Sequence, residues 1–232
     1  MRATALRRQL LGGALVTLAA SAIACDNSTV TDVPVPVAAV LTEGAGVEAQ
    51  SGTVGAVLAT PVTVVYTRSG APVSGANVTW TVLAGGGTID AATSTTDASG
   101  NAVVHWKLGT TAGADTLIAT TADSATSIIT ATAVAGPAVS VSLVSGDAQD
   151  VSGGAAAAPL VVKAVDAYGN PVSGATVSWS TSNGGSIDNA STTTDDKGLS
   201  QVVLTMGSGA GTYTVTATVA GLTPVTFTER EE

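Results

Sequence analysis

Short stretches of alternating apolar and polar residues run through most of the chain. Residues 78–82 read VTWTV and residues 213–219 read YTVTATV, so every second side chain is apolar. Successive side chains of a β-strand point to opposite faces, so each stretch predicts a strand with one buried and one solvated face. The turn signals SGAP at 69–72 and YGNP at 168–171 separate such stretches, because glycine and proline favour turn backbone angles. The pattern predicts an all-β chain.

The chain also repeats itself. Residues 72–80, PVSGANVTW, return as residues 171–179, PVSGATVSW, with seven of nine positions identical at an offset of 99. Later matches, such as GGTID at 86–90 and GGSID at 184–188, have an offset of 98, which places a one-residue difference between positions 80 and 86. Such self-similarity indicates a duplicated structural unit.

The duplication predicts two domains, residues 37–135 and 136–232. Each has roughly 100 residues and turn signals every ~8–12 residues, which is typical of a β-sandwich. Comparing the copies identifies the large apolar residues that they share, and these form the predicted core: Trp80, Trp179, Ile89, Ile187, Trp106 and Leu204. We expect functional differences where the copies disagree, for example at residues 98–99 against 196–197.

The N-terminal residues have the order of an export signal. Arg7 and Arg8 precede an apolar run at 10–24 that is short for a membrane span, which needs ~20 residues. Residues 1–24 therefore indicate a secretory signal peptide. The small residues before Cys25 resemble the bacterial lipoprotein signal, which implies a lipid on Cys25; the alternative is ordinary cleavage nearby that leaves a free thiol. The paired arginines also resemble a twin-arginine export signal.

The segment after Cys25 predicts a tether, and the charge of the chain limits its partners. Residues 25–36 are polar and then proline-spaced, which favours an extended spacer. The net charge is −9, from 8 basic and 17 acidic residues. Three arginines and no acid precede Cys25, so the cleaved chain has 5 basic and 17 acidic residues, or −12. This charge opposes binding to nucleic acid, and membrane attachment is expected through the lipid anchor alone.

The chain offers little for catalysis or metal binding. His105 is the single histidine, and strand alternation directs it away from the Trp106 face, so we expect a surface residue. One histidine and one cysteine do not make a zinc site. We therefore predict no enzyme and no cofactor. Weak calcium binding at acidic loops stays open, because turns supply the oxygen ligands that calcium prefers. The acids are expected at turns, bonded to nearby backbone: Asp90, Asp97, Asp115, Asp147, Asp188, Asp195 and Asp196.

Four motifs of the second unit resemble the bacterial Ig-like domain of group 1, the repeat of the intimin and invasin family of surface proteins. They are GNPVSGATVSW from residue 169, GGSI from 184, TD-x-x-G from 194 and G-x-Y-x-V-x-A from 211. The first unit follows the same pattern, with Asp115 in place of Tyr213. The resemblance implies two Ig-like Greek-key β-sandwiches in tandem, and a stalk as the role.

The resemblance and the export signal together predict a non-enzymatic cell-envelope lipoprotein that serves as a surface stalk, adhesion or protein-interaction module. The expected partner is a protein or glycan of the cell surface or envelope. The alternative is a polysaccharide-binding or accessory module of the envelope, with Tyr66, Tyr168 and Tyr213 as the candidate aromatic contacts. The outer membrane or surface is the first expectation for its location. Asp26, which follows the cysteine, leaves the inner membrane open.

Overall fold

A computed structural model of the protein describes residues 38–152 and 158–232. In these two ranges the chain forms strands and turns and no helix, so no helix there is long and apolar enough to cross a membrane. The predicted all-β class is confirmed. The signal peptide at 1–24, the lipidation site Cys25 and the tether at 25–36 lie outside the described residues and stay predictions.

The first repeat contains eleven strands in two sheets and a small ribbon. One sheet has β3 at its centre, with β1 on one side and both β4 and β8 on the other. The second sheet has the order β2-β11-β10-β5-β7, and β2 alone runs parallel to its neighbour. β6 and β9 pair as the ribbon. The strands are β1 Ala39–Glu43, β2 Gln50–Thr53, β3 Val62–Arg68, β4 Ala71–Pro72, β5 Asn77–Ala84, β6 Thr88–Ile89, β7 Thr93–Thr95, β8 Asn101–Val104, β9 Trp106–Lys107, β10 Gly113–Thr121 and β11 Thr126–Val134.

The second repeat has the same arrangement, except that a single bridge between Val165 and Pro171 takes the place of β4. One sheet has the order β12-β14-β18, the other β13-β21-β20-β15-β17, and β16 pairs with β19. The described residues of both repeats belong to one compact unit, and the two sandwiches are in contact. The strands are β12 Ser140–Ser145, β13 Asp150–Val151, β14 Leu160–Val165, β15 Thr176–Thr181, β16 Ser186–Ile187, β17 Ser191–Thr193, β18 Leu199–Val202, β19 Leu204–Thr205, β20 Gly211–Thr218 and β21 Val225–Glu231.

Each repeat closes its own apolar core between its two sheets. In β5 the alternation holds as predicted, since Val78 and Trp80 are buried while the threonines between them are exposed. The indole N–H of Trp80 donates to Ser94 Oγ at 2.8 Å, and that of Trp179 donates to Thr192 Oγ1 at 2.7 Å. Trp80 and Trp179 therefore bury their rings and still satisfy the indole N–H.

Strand pairing reveals where the two copies differ in length. Val62 pairs with Val104 and Leu160 with Val202, so β3 and β14 correspond at an offset of 98. The PVSGA segments that follow correspond at 99. One additional residue therefore lies in the second repeat between β14 and Pro171. The match between the two PVSGA segments does not reveal this insertion, because it begins only after the additional residue.

Candidate functional site at the joint between the repeats

The inserted residue builds a turn at residues 166–170, here called the joint turn. Asp166 Oδ1 accepts hydrogen bonds from the backbone N–H groups of Tyr168 and Asn170, both at 2.9 Å. The N–H of Asp166 donates to the carbonyl of Asn170 at 2.9 Å. Gly169 has φ +85°, which residues with a side chain rarely adopt. The sequence Asp-Ala-Tyr-Gly-Asn thus closes on itself locally.

Asn170 carries the joint turn onto the first repeat. Its Nδ2 donates to the carbonyl of Thr110 at 2.9 Å, and its Oδ1 accepts the N–H of Ala112 at 2.8 Å. Both partners lie in the loop at residues 109–113 between β9 and β10, here called the receiving loop. The amide presents one donor and one acceptor to a backbone carbonyl and N–H. Asn170 is 7% exposed, so this two-point contact is largely shielded from water.

Asp166 ties the segment between the repeats to the same turn. Its Oδ2 accepts the N–H of Gly136 at 3.0 Å and faces Nδ2 of Asn170 at 3.0 Å. Burial raises the pKa of the carboxyl, but the hydrogen bonds from Asn170, Gly136 and Tyr168 outweigh it and hold the pKa below its ordinary value. The carboxylate is therefore ionised at neutral pH, and each of these hydrogen bonds is charge-assisted.

The buried side chain of Asp115 supports the receiving loop from inside the first repeat. Asp115 is fully buried in β10, and its Oδ2 accepts the N–H of Gly109 at 2.6 Å. A side chain at Gly109 has no room, since its Cβ would lie 1.6 Å from the carbonyl oxygen of Gly85. In the second repeat, the hydroxyl of Tyr213 donates to the carbonyl of Gly209 at 2.8 Å and supports the corresponding loop. The expectation of Asp115 at a turn is wrong, because this strand position faces the core.

Tyr168 packs at the edge of the joint. A Cβ added to Gly55 would lie 2.7 Å from the Tyr168 hydroxyl, and Gly55 has φ +69°, so the ring occupies space that only glycine leaves. A cavity of about 130 Å³ lies beside the ring, lined in part by Val54, Pro137 and Val139. The Tyr168 side chain stays half exposed, at 55%. Aromatic packing thus accompanies the hydrogen bonds at the joint.

The same end of the first repeat is built differently. Arg68, the counterpart of Asp166 by strand register, binds Asp123 Oδ2 through Nη2 at 2.8 Å. The hydroxyl of Tyr66 donates to Asp123 Oδ2, and the hydroxyl of Thr121 donates to Oδ1 at 2.6 Å. Hydrogen bonds from Thr121, Tyr66 and Arg68 hold the pKa of Asp123 well below its ordinary value. The turn there is the two-residue Ser69–Gly70 hairpin, which satisfies its polar groups within its own repeat.

The predicted core residues occupy the following positions. Trp106 and Leu204 are fully buried, and Trp80 and Trp179 are 2% and 4% exposed. Ile89 and Ile187 are only partly buried and pack against the edge of each core, because their short strands β6 and β16 pair in a ribbon outside the main sheets. These two predicted core residues therefore lie at the edge of their cores and not inside them.

His105 and the loop acids make local contacts. His105 is exposed, with Nδ1 2.8 Å from Asp90 Oδ2, and its own N–H donates to Asp90 Oδ1 at 2.9 Å. Asp188 accepts the N–H of Val203, the counterpart of His105, at 2.9 Å. This acid therefore caps a strand break in both repeats, whichever side chain follows. Hydrogen bonds from the backbone and side chain of His105 hold the pKa of Asp90 below its ordinary value.

The other acids mostly bond backbone groups at turns. Asp97 and Asp195 each accept two N–H groups in their hairpins, and Asp147 accepts the N–H of Thr228. Asp196 accepts the hydroxyl of Ser173 at 3.1 Å. Within residues 38–152 and 158–232, no three His, Cys, Asp or Glu side chains gather as a metal site would require. Calcium binding stays an untested expectation.

Comparison with protein families bears on the second repeat. Residues 140–228 match the bacterial Ig-like domain (group 1). The second repeat is therefore similar to this family over most of its length. The first Ig-like repeat has the same sheet order and therefore the same fold. A search of curated proteins found no match.

Solved structures that match this chain include two that are described as adhesins. The Escherichia coli adhesin FdeC is 21% identical at a TM-score of 0.52, over 82% of this chain and 63% of that chain. The D0-D1 domains of intimin are 22% identical at a TM-score of 0.35, over 82% and 99%. The Yersinia pseudotuberculosis adhesin InvE is 20% identical at a TM-score of 0.38, over 84% and 58%. The likeness to FdeC shows a shared Ig-like fold.

Sequence reasoning missed Asp166 and assigned Asn170 only to a turn. The sequence signal for these residues is an Asp and an Asn four positions apart with a glycine between them, in the repeat that has the additional residue. The difference between copies that we expected to matter, at residues 98–99 and 196–197, lies at exposed hairpin tips. Of those residues, Asp196 lines the groove at the joint.

Proposed function

We propose that the protein is a non-enzymatic cell-envelope lipoprotein whose two Ig-like repeats form a stalk for adhesion or protein interaction. The joint carries this proposal. A spacer must hold its two repeats in one orientation, and Asn170 and Asp166 connect the second repeat to the receiving loop and to Gly136 through largely buried polar groups and contacts of 2.8–3.0 Å. Contacts of this kind favour one arrangement over a flexible pair of beads.

The anchor of the proposed stalk is Cys25, lipidated after removal of residues 1–24, with residues 25–36 as the spacer to the membrane. A single acyl chain gives only marginal membrane affinity, so the two or more chains of a bacterial lipoprotein would be required for stable attachment. The proposed location is the outer membrane or cell surface, with the inner membrane as the alternative that Asp26 leaves open.

The adhesive part of the proposal draws on the fold shared with FdeC, which is described as an adhesin. The partner would be a protein or glycan of the cell surface or envelope, and not a nucleic acid. A polysaccharide platform is less well supported, because sugar-binding surfaces use exposed rings. Tyr66 and Tyr213 are buried, and Tyr168, which is half exposed, packs on Gly55 at the joint.

Cell fractionation of the wild-type protein and a Cys25→Ala variant tests the anchor. We expect the wild-type protein in the membrane fraction, open to protease on intact cells, and the variant in the soluble or secreted fraction. A Ser28→Ala variant, altered within the tether but not at the cysteine, is the control. Retention of the Cys25→Ala variant in the membrane fraction would refute the lipid anchor.

A further inference from the structure

We propose that the far end of the second repeat is a docking surface for another Ig-like repeat, one that presents an Asn-bearing turn like the joint turn. This inference rests on the proposed stalk function, because it describes how the stalk would be extended. The structure supplies the template, since the first repeat already receives such a turn.

The loop at residues 207–211, here called the distal loop, corresponds to the receiving loop. It reads GSGAG where the receiving loop reads GTTAG, at an offset of 98. Gly113 and Gly211 share an unusual backbone conformation, with φ of +145° and +149°. A buried side chain, Asp115 or Tyr213, supports each loop from β10 or β20. The Ser208 carbonyl and Ala210 N–H therefore correspond to the Thr110 and Ala112 groups that bind Asn170.

An open groove lies next to the distal loop. Its volume is about 650 Å³, and it is lined in part by Ala210, Gly211 and residues 230–232. The corresponding residues of the first repeat, Ala112, Gly113 and residues 132–134, line a groove of about 780 Å³ at the joint. The second repeat forms the other wall of that joint groove with residues 170–173 and Asp196. The distal groove thus has the same position on the second repeat as the joint groove has on the first.

Charge defines which repeat would fit. The exposed Thr132 and Val134 of the first repeat are replaced by the exposed Arg230 and Glu232, and the exposed Asp150 also lines the distal groove, so acids outnumber the base on its exposed surface. A partner with an acid at the position of Asp196 would bring like charges together. The fitting partner therefore has Asn at the position of Asn170 and Lys or Arg at the position of Asp196.

A second copy of this chain does not meet this requirement through its first repeat. By alignment with Asn170, that repeat has Ala71, which lacks the amide, and its Arg68 is already engaged by Asp123. We therefore expect no end-to-end assembly of the protein by itself.

The test appends a second copy of residues 135–232 after Glu232 of the full chain, with Asp196→Lys in the added copy. Hydrogen exchange of the Ala210 amide in the original second repeat is measured in this extended chain, in the same chain with Asn170→Ala in the added copy, and in the unextended protein. We expect about tenfold slower exchange at Ala210 when the added copy retains Asn170, and no slowing with alanine. The Ala112 amide, which reports the native joint, should be unaffected in all three chains.

Three outcomes would overturn the inference. The first is equal Ala210 exchange whether the added copy retains Asn170 or carries Asn170→Ala. The second, measured in a fourth chain whose added copy keeps the native Asp196, is stronger protection of Ala210 than in the lysine version. The third is oligomers of the unextended protein that protect Ala210. Loss of Ala112 protection in the unextended protein would instead contradict the native joint, and with it the proposed stalk, so the two failures are distinguishable.

Discussion

Replacing Asn170 by alanine tests whether the joint is a specific connection. The change removes the hydrogen bonds from Nδ2 to the Thr110 carbonyl and from the Ala112 N–H to Oδ1. It also removes the contact from Nδ2 to Asp166 within the turn, while the backbone hydrogen bonds of the turn are kept. A net hydrogen bond contributes about 1 kcal/mol, and a buried group left unpaired costs more. Loss of two such contacts lowers the free energy of opening the joint by about 2 kcal/mol, which raises the equilibrium constant for opening roughly 30-fold.

Native-state hydrogen exchange at the Ala112 amide measures this opening directly, since the Asn170 side chain is its partner. We expect exchange at Ala112 to accelerate roughly 30-fold, while amides in β5 and β15 keep their protection. Asn77→Ala is the matched control, because Asn77 is exposed and its side chain bonds Thr95 within the first repeat. Equal Ala112 exchange in the wild-type protein and the Asn170→Ala variant would refute the reasoning.

Four further predictions concern the second core, two buried carboxyl groups and calcium. Trp179→Ala should lower the stability of the second repeat by about 3–5 kcal/mol in urea unfolding, because Trp179 is 4% exposed and its ring centroid lies 6.1 Å from that of Phe227. Trp179→Phe should lower the stability less, and an equal loss in both variants would contradict ring packing as the cause. The pKa of Asp166 is lowered in the folded protein, so the contribution of Asp166 to stability is complete above the unfolded pKa of about 4 and is lost as pH falls through the folded pKa. Hydrogen exchange of the Gly136 amide, corrected for its intrinsic rate, should therefore accelerate in acid, and this pH dependence should be absent in Asp166→Asn. Burial raises the pKa of Glu229, with a smaller contribution from Asp147 and an opposing one from the Gln149 N–H, so ionisation of Glu229 lowers stability as pH rises above about 4. Glu229→Gln keeps an acceptor for Gln149 and should raise the melting temperature at pH 8 by about 4–8 °C if the charge costs about 1 kcal/mol. The same variant should give no increase at pH 3. The melting temperature should be the same in calcium and in EDTA, and a calcium-dependent increase would revive an acidic-loop site.

The fold was predictable because two independent signals in the sequence agree. Alternation identified β5 and β20 and the side that each buries, and the duplication showed which large residues both copies keep. Trp80 and Trp179 satisfy both criteria, and the structure buries both. Ile89 and Ile187 satisfy the second criterion but lie on two-residue strands, too short for alternation to indicate burial. Their partial exposure shows that similarity between copies identifies shared structure without indicating depth.

The joint could not be predicted because its contacts are not local. Asn170 bonds backbone groups 58 and 60 residues earlier in the chain, and nothing near Thr110 or Ala112 distinguishes them from other loop residues. The additional residue before Pro171 becomes visible only when strand pairing fixes the offset of β14 at 98. Sequence offsets are determined by matching side chains, whereas the length of a turn is determined by register. A duplicated chain therefore conceals a change at a turn whenever the flanking motifs still match.

Asp115 shows how residue type and strand position can conflict. Its charge predicts a solvated turn, but it shares a face of β10 with Leu117 and Ala119, both fully buried. Position prevails because a one-residue shift of the strand would turn every core side chain of β10 to solvent. One oxygen of the buried carboxyl group accepts the N–H of Gly109, and this bond in turn holds the loop that receives Asn170. Asp115, whose residue type predicted a turn, and Asp166, which the sequence did not reveal, thus lie on opposite sides of one joint, and each accepts a backbone N–H there.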